Sequence, residues 1–439
     1  MDKAYYTYRI EIVSSERVRF EKRDGQNKVL EERPPSQLRY QEKLEEITEL
    51  LDSAREGTLG EASDVRRLGE ALFDSLFANE ALCEDFVRFY TEVVQQKKQF
   101  LRIELDIDEE IMPDLAVLPW EFMCLPARFN QQEIWFATNP NIVFSRHRAL
   151  WVAPPPIQLA KDEPLKIALV VASPSNLPKF NYQPVKDVLN ELVSQQGERI
   201  QLLDIVEQAD RTAINEVLEQ EPHILHFIGH GQLKRTEQFG QIALVDRETE
   251  KVDWIDATSF GSLFAKHPPG IVVLQACEGA AGTSDQAFTN VTSKIVQANV
   301  PVVLAMQYLV PIYIANQFTS CFYEQVAKGY PVDVAAQLGR LAIALEPPHY
   351  DSRDFAIPVI FMRGQDGYLF QRPQAEVEPV TPAKALSVVA KLQFDELQAG
   401  SRATANKLNK VNRATEVFAD ISAKKVDNSE IIGNEINEA

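Results

Sequence analysis

Residues 270–279 read GIVVLQACEG, and an upstream stretch, residues 223–231, reads HILHFIGHG. Both are runs of mainly β-branched and apolar residues that end at a glycine. Such a run lacks a regular polar side, so it predicts a strand buried on both faces of a sheet. Each run also carries a reactive side chain at its end, His230 in one and Cys277 in the other.

Similar apolar runs occur at residues 165–172 (LKIALVVA) and 300–306 (VPVVLAM), and helical patterns separate them. Residues 182–195 and 211–220 have apolar positions at helical spacing. Strands that alternate with helices in this way predict a mostly parallel sheet covered by helices, an α/β/α sandwich. Residues 300–315 are too short for a membrane span and contain Gln307 and two prolines, so they are read as a buried strand leading into the next element.

Proline-rich stretches suggest the domain boundaries. Three prolines at 154–156 favour an extended connector after an N-terminal half, residues 1–153. A C-terminal half, residues 154–370, contains the runs quoted above. Residues 371–439 begin with a proline-rich linker and continue with weak helical spacing, which predicts a helical or partly disordered tail. No internal repeat of fixed period is evident in the sequence.

The composition excludes several function classes. The 439 residues carry a formal net charge of −19, which argues against binding to nucleic acid or to an anionic membrane surface. The four cysteines form no CxxC pair, so neither a disulfide framework nor a zinc site is expected. We therefore expect free thiols in a reducing, cytoplasmic compartment. No phosphate-binding glycine motif is present, which argues against a nucleotide-binding protein, and no cofactor is expected.

The two reactive side chains predict one site. Parallel strands deliver their carboxyl ends to a single edge of the sheet, where ligands bind in α/β proteins. His230 lies 47 residues before Cys277. An imidazole can accept the proton of a thiol and produce the nucleophilic thiolate. The N–H groups of Gly231 and Cys277 could hold a developing oxyanion. The pair is therefore a candidate dyad for acyl transfer.

The motif Gln275-Ala276-Cys277-Glu278-Gly279 matches four of the five positions of the caspase signature, with Glu278 as the departure. Together with LHFIGHG (225–231), LPWEFM (118–123) and residues 322–343, this motif makes the chain resemble the CHAT family of caspase-like peptidases. The resemblance covers about residues 4–370 of the chain.

The resemblance implies a caspase-like fold with a degenerate N-terminal half and a catalytic C-terminal half. It implies His230 as general base, Cys277 as nucleophile and a protein substrate cleaved at a peptide bond. It implies that Gln275 lines a substrate pocket, and Glu278 beside the nucleophile is a further candidate for substrate selection. LPWEFM lies in the degenerate half, so a structural role is expected for it.

Other interpretations remain open. Glu278 departs from the signature, so the chain could be a catalytically idle scaffold that binds protein partners. His223, His226 and His230 do not share one face at the spacing of a strand, so a metal site is not expected, and His226 is predicted to be a packed, hydrogen-bonded histidine. Cys83, Cys124 and Cys321 lie in apolar contexts and are expected to be core thiols. The tail is a candidate docking element for an activating or adaptor protein in a bacterial defence system.

Overall fold

The computed structural model describes residues 4–56, 62–109, 111–148, 154–234, 239–276, 291–292, 294–308, 310–345, 354–364 and 367–372. In the tail it describes the backbone of residues 387–394, 402–409, 416–423 and 430–437. The chain divides into two compact units, one formed by Ala4–Ala375 and the other including Glu376–Ala439. In the described residues, no helix is both long enough and apolar enough to cross a membrane.

The N-terminal half opens with a hairpin and contributes strands and helices to the larger unit. Its strands are β1 (Tyr5–Ser14), β2 (Arg17–Arg23), β3 (Val29–Glu32), β4 (Ser36–Gln37), β5 (Phe100–Ile107), β6 (Cys124–Leu125), β7 (Ile134–Trp135) and β8 (Ile142–His147). Its helices are α1 (Tyr40–Glu56), α2 (Ala62–Leu76), α3 (Glu80–Tyr90), α4 (Pro113–Ala116) and α5 (Ala127–Asn130), with a π-helical turn at Thr91–Gln96 and a 3₁₀ turn at Trp120–Phe122.

The C-terminal half alternates strands and helices, as the sequence predicts. Its strands are β9 (Ile157–Gln158), β10 (Leu165–Val171), β11 (Ile200–Leu202), β12 (Ile224–Gly229), β13 (Gly231–Lys234), β14 (Phe239–Val245), β15 (Val252–Asp256), β16 (Ile271–Ala276), β17 (Val302–Met306), β18 (Pro358–Met362) and β19 (Phe370–Gln371). Its described helices are α6 (Gln183–Gln196), α7 (Arg211–Leu218), α8 (Ala257–Ser262), α9 (Ile312–Ala327) and α10 (Val332–Leu345), with a 3₁₀ turn at Asp354–Ala356.

One sheet runs through both halves. Among the described residues it has twelve strands in the order β11-β10-β12-β16-β17-β18-β8-β5-β1-β2-β3, with β4 beside β2. The pairs from β11 to β17 are parallel, as are β18/β8, β8/β5 and β5/β1. The predicted mixed α/β fold with a mostly parallel sheet is confirmed. The two predicted halves share this sheet and lie in one compact unit.

The central strands are buried on both faces. Val272 and Leu274 of β16 belong to one hydrophobic core, while Ile271 and Val273 belong to the other. Successive residues of a strand point to opposite faces, so an uninterrupted apolar run supplies two cores at once. This arrangement explains why GIVVLQA and its neighbours lack polar alternation.

Helix α10 joins the two halves through buried polar contacts. Arg102 of β5 donates from Nε to the carboxylate of Asp333 at 2.6 Å. Arg340 donates to the carbonyl oxygens of Phe144 in β8 and Pro358 in β18, each at 2.8 Å. These bonds connect one helix to three strands of the sheet. They give both guanidinium groups buried partners, whereas Nη2 of Arg340 has no hydrogen-bond partner among the described residues.

The predicted helical tail is wrong for the part of the tail that the structure describes. Its four described segments are strands, β20 (Ser387–Phe394), β21 (Arg402–Asn409), β22 (Glu416–Ala423) and β23 (Glu430–Asn437). In β20, apolar residues occupy every second position, at 388, 390, 392 and 394, which is the period of a strand. The interpretation that the sequence contains no repeat is also wrong for the tail. There β20 pairs with β22 and β21 with β23 at nearly equal offsets along the sequence.

Candidate active site

The candidate site lies at the carboxyl ends of β12 and β16. These strands are parallel neighbours, and Gly229 of β12 is the register partner of Ala276 of β16. His230 and Cys277 are the residues that follow this register pair. Cys277 and Glu278 lie outside the described residues. The sheet therefore brings Gly229 and Ala276, the residues that precede the two predicted positions, to the same edge.

His230 is held in a defined orientation. Its side chain is buried, and its Nε2 lies 2.9 Å from the carbonyl oxygen of Pro178. A carbonyl oxygen only accepts, so Nε2 carries the proton and Nδ1 is left as the basic nitrogen. The ring of Phe180 packs edge-on against the imidazole, with centroids 5.2 Å apart. Burial lowers the pKa of His230 from its ordinary value, and the bond to Pro178 opposes this effect.

The backbone of Gly231 is oriented by the small antiparallel sheet β13-β14-β15. Gly231 is the register partner of Ile242, and the N–H of Ala243 donates to the carbonyl oxygen of His230 at 3.0 Å. This bond makes Gly231 and Ile242 a non-hydrogen-bonded pair of the ladder, so β14 does not use the N–H of Gly231. The group is thereby directed away from β14, as its predicted oxyanion role requires.

Behind the site, a polar chain joins β12, β16 and α9. The Nε2 of His226 donates to Oε1 of Gln275 at 3.0 Å, and the hydroxyl of Tyr323 donates to Nδ1 of His226 at 3.1 Å. Burial lowers the pKa of His226 to about 4, so the ring is neutral near neutral pH. The prediction of a packed, hydrogen-bonded His226 is confirmed.

Gln275 occupies the interior of the sheet. Its side chain is fully buried and engages His226. The role in a substrate pocket stays a prediction for Gln275, and the contact observed joins its side chain to His226 of the neighbouring strand. Sequence reasoning identified the residue and missed this partner, which lies 49 positions away.

The LPWEFM segment forms a buried ion pair. Arg146 of β8 donates to Glu121 from Nε at 3.0 Å and from Nη2 at 2.5 Å. It also donates to the carbonyl oxygens of Ala116 and Leu118. Trp120 is fully buried, and its indole N–H donates to the carbonyl oxygen of Leu115 at 2.8 Å. The expected structural role of this segment is confirmed.

The described cysteines are poor nucleophiles. Cys83 and Cys124 are buried, whereas Cys321 is half-buried. Burial raises the pKa of Cys83 to about 11 and that of Cys321 to about 12, and it raises the pKa of Cys124 further. A thiol with such a pKa forms almost no thiolate at neutral pH. The described part of the chain brings together no group of three potential metal ligands.

A family model described as the CHAT domain matches residues 66–356, about two thirds of the chain. A search of curated proteins found no match.

Solved structures with a similar arrangement include cysteine proteinases. The Saccharomyces cerevisiae separase in a separase–securin complex gives a TM-score of 0.45 and 11% identity, covering 82% of this chain and 30% of that chain. The Arg-specific cysteine proteinase gingipain R gives a TM-score of 0.38 and 11% identity, covering 75% of this chain and 76% of that chain. Likenesses of this strength say nothing about substrate.

Proposed function

The chain belongs to the CHAT domain family, and on that premise we propose that it is a caspase-like cysteine endopeptidase that uses His230 and Cys277. The observation that supports the proposal is the register of Gly229 with Ala276, because these residues directly precede His230 and Cys277 in the sequence and end their strands at one sheet edge. The tautomer of His230, fixed by Pro178, adds a basic nitrogen at that edge.

The proposed reaction is acyl transfer in two steps. Nδ1 of His230 accepts the proton of the Cys277 thiol, and the thiolate attacks the carbonyl carbon of a peptide bond. The N–H groups of Gly231 and Cys277 donate to the oxyanion of the tetrahedral intermediate. His230 then returns the proton to the departing amine, which leaves a thioester. A water then gives a proton to His230 while its oxygen bonds to the thioester carbon. The C–S bond breaks, the carboxylic acid product leaves, and the sulfur of Cys277 takes the proton back from His230.

The substrate is proposed to be a protein. The formal charge of −19 favours cationic segments in the substrate or in an activator, because complementary charge accelerates encounter. Glu278 is proposed to contribute to this selection. We further propose that a partner activates the chain by binding the tail, and that the chain acts in bacterial defence. We also propose a cytoplasmic location, because the free thiols of Cys83 and Cys124 fit a reducing compartment.

A catalytically idle scaffold is the second candidate function, and Glu278 in the signature is the observation that favours it. One experiment separates the two. New protein termini are compared in cells that express the wild type, Cys277→Ala and Cys83→Ala. A peptidase produces termini with the wild type and with Cys83→Ala, and loses them with Cys277→Ala. Identical sets of termini in all three would favour the scaffold.

A further inference from the structure

The four tail strands form two stacked rungs. We call β20 with β21 rung 1, and β22 with β23 rung 2. The pairing is parallel, with Ser387 opposite Glu416 and Arg402 opposite Glu430. The offsets are therefore 29 and 28 residues. Each rung consists of two eight-residue strands, so the tail contains the same unit twice.

Many residues at the same register position are chemically alike. Apolar residues lie opposite apolar residues along β20 and β22: Val388↔Val417, Val389↔Phe418, Ala390↔Ala419 and Leu392↔Ile421. In β21 and β23 the same holds for Leu408 and Ile436, and two asparagine pairs match: Asn406↔Asn434 and Asn409↔Asn437. Parallel strands that place identical residue types in register are the arrangement of stacked cross-β assemblies, in which asparagine ladders add stability.

The charged positions give the stack a direction. Three register positions carry a base in rung 1 and an acid in rung 2: Lys391↔Asp420, Arg402↔Glu430 and Lys407↔Glu435. The strands of rung 1 contain no acidic residue, and those of rung 2 contain no basic residue. Opposite charges directly across a strand pair stabilise it, whereas like charges destabilise it.

The outer edges of the two tail sheets carry no further strand among the described residues. Within the described part of the tail, each sheet has two strands, so every strand has one edge without a strand neighbour. Two-stranded sheets are only marginally stable in water, and an open edge is a template for a further strand. The rung that best fits the edge of rung 2 is rung 1 of another copy, because its three basic residues then lie opposite the three acidic residues of rung 2. A contact of rung 2 with rung 2 places acid opposite acid.

We propose that the tail is a self-assembly module whose partner is a second copy of this chain, stacked head to tail through parallel, in-register strands. Rung 1 of each copy binds rung 2 of the next copy. A head-to-tail contact that repeats by translation does not close, so it generates a filament. The proposed assembly does not depend on whether residues 4–375 cleave peptide bonds. It can be measured by sedimentation, without an assay of peptidase activity.

The test uses the full chain with Cys277→Ala, so that self-cleavage cannot interfere. A reversal variant carries Lys391→Glu, Arg402→Glu and Lys407→Glu. A swap variant adds Asp420→Lys, Glu430→Arg and Glu435→Lys, which restores opposite charges at every register position and leaves the net charge unchanged. Sedimentation is measured across the micromolar range, and fibre diffraction of the pellet is examined for the strand spacing of about 4.7 Å.

The parent chain is expected to sediment with that spacing. The reversal variant should need roughly tenfold more protein or higher to sediment, because three attractive positions become repulsive. The swap variant should sediment like the parent, yet a labelled swap chain should stay out of parent pellets, since its rungs meet like charges there.

Three results would overturn the proposal. The first is a parent chain that remains monomeric at all protein concentrations tested, whether or not its tail binds a different protein. The second is a reversal variant that sediments as the parent does. The third is free mixing of swap and parent chains in one pellet.

Discussion

The carbonyl oxygen of Pro178 lies 2.9 Å from Nε2 of His230, and this bond determines which ring nitrogen can act as a base. Pro178 lies in the segment between β10 and α6, 52 residues from the histidine. The loop thus selects the tautomer of His230, the residue that follows β12. Burial of the ring by the same loop lowers its pKa.

We expect the acid limb of kcat/KM to lie below pH 6.5. The catalytic base must be neutral, and burial lowers the pKa of His230 from 6.5, so activity should be lost only as the pH falls through that lower value. Phe180→Ser admits water to the ring and should move the limb towards 6.5. Phe180→Leu keeps an apolar cover and is the matched control. Initial rates on a peptide substrate between pH 4 and 8 measure the shift; an unmoved limb in Phe180→Ser would contradict the account.

His226 should make the protein less stable in acid. Its pKa is about 4 in the fold against an ordinary 6.5, so the unfolded chain binds the proton first as the pH falls. Stability is then lost between pH 6.5 and 4, by about 3 kcal/mol at the lower limit. The measurement is the free energy of urea unfolding at pH 7 and pH 4.

The matched variants separate titration from packing. His226→Gln should lose this part of the pH dependence. Tyr323→Phe keeps the neutral ring and should keep the dependence, while costing about 1–2 kcal/mol at pH 7 for the lost hydrogen bond. An equal pH dependence in His226→Gln and the wild type would show that the buried imidazole does not titrate as described.

Glu121→Gln should strongly lower the free energy of unfolding of the larger unit, Ala4–Ala375. The change leaves the Arg146 guanidinium buried without its carboxylate, which costs roughly 3–5 kcal/mol. Glu219→Gln removes the same chemistry from an exposed pair with Lys266 and should cost below about 1 kcal/mol. Chemical unfolding of both variants measures the difference. Equal losses would mean that the buried pair contributes no more than a surface pair.

Cys83 and Cys124 should resist alkylation in the folded protein. Both thiols are buried and their pKa values are raised, so the thiolate is scarce and inaccessible. Peptide mapping after iodoacetamide treatment should find them modified only in denaturant. Modification of either thiol in the native state, at the rate of a free thiol, would place it outside the core.

Much of the fold follows from local pattern. The strands β10, β12, β16 and β17 are mainly apolar because each supplies two cores, and this signal is readable from sequence. The motif around Cys277 and the strand before His230 also predict a site at the carboxyl ends of β16 and β12, and these two strands are parallel neighbours. What pattern could not supply were contacts between distant positions, such as Arg102 with Asp333, which lie 231 residues apart.

The tail shows a different limit. The sequence favours a helix there because apolar residues such as Val388, Val389 and Leu392 also fit the i, i+3 and i+4 spacing of a helix. The repeat is hard to read from the sequence because few register pairs are identical: Lys391 lies opposite Asp420 and Leu392 opposite Ile421. Only the register makes this correspondence visible.

The most direct test of the central claim is the rate of alkylation of Cys277 as a function of pH, in the wild type and in His230→Ala. This measurement needs no substrate and no activator. If His230 is the base, the wild-type rate should rise with a midpoint well below the ordinary thiol pKa of about 8.5, and His230→Ala should move the midpoint back towards that value. Superimposable profiles with a midpoint near 8.5 in both proteins would contradict the dyad.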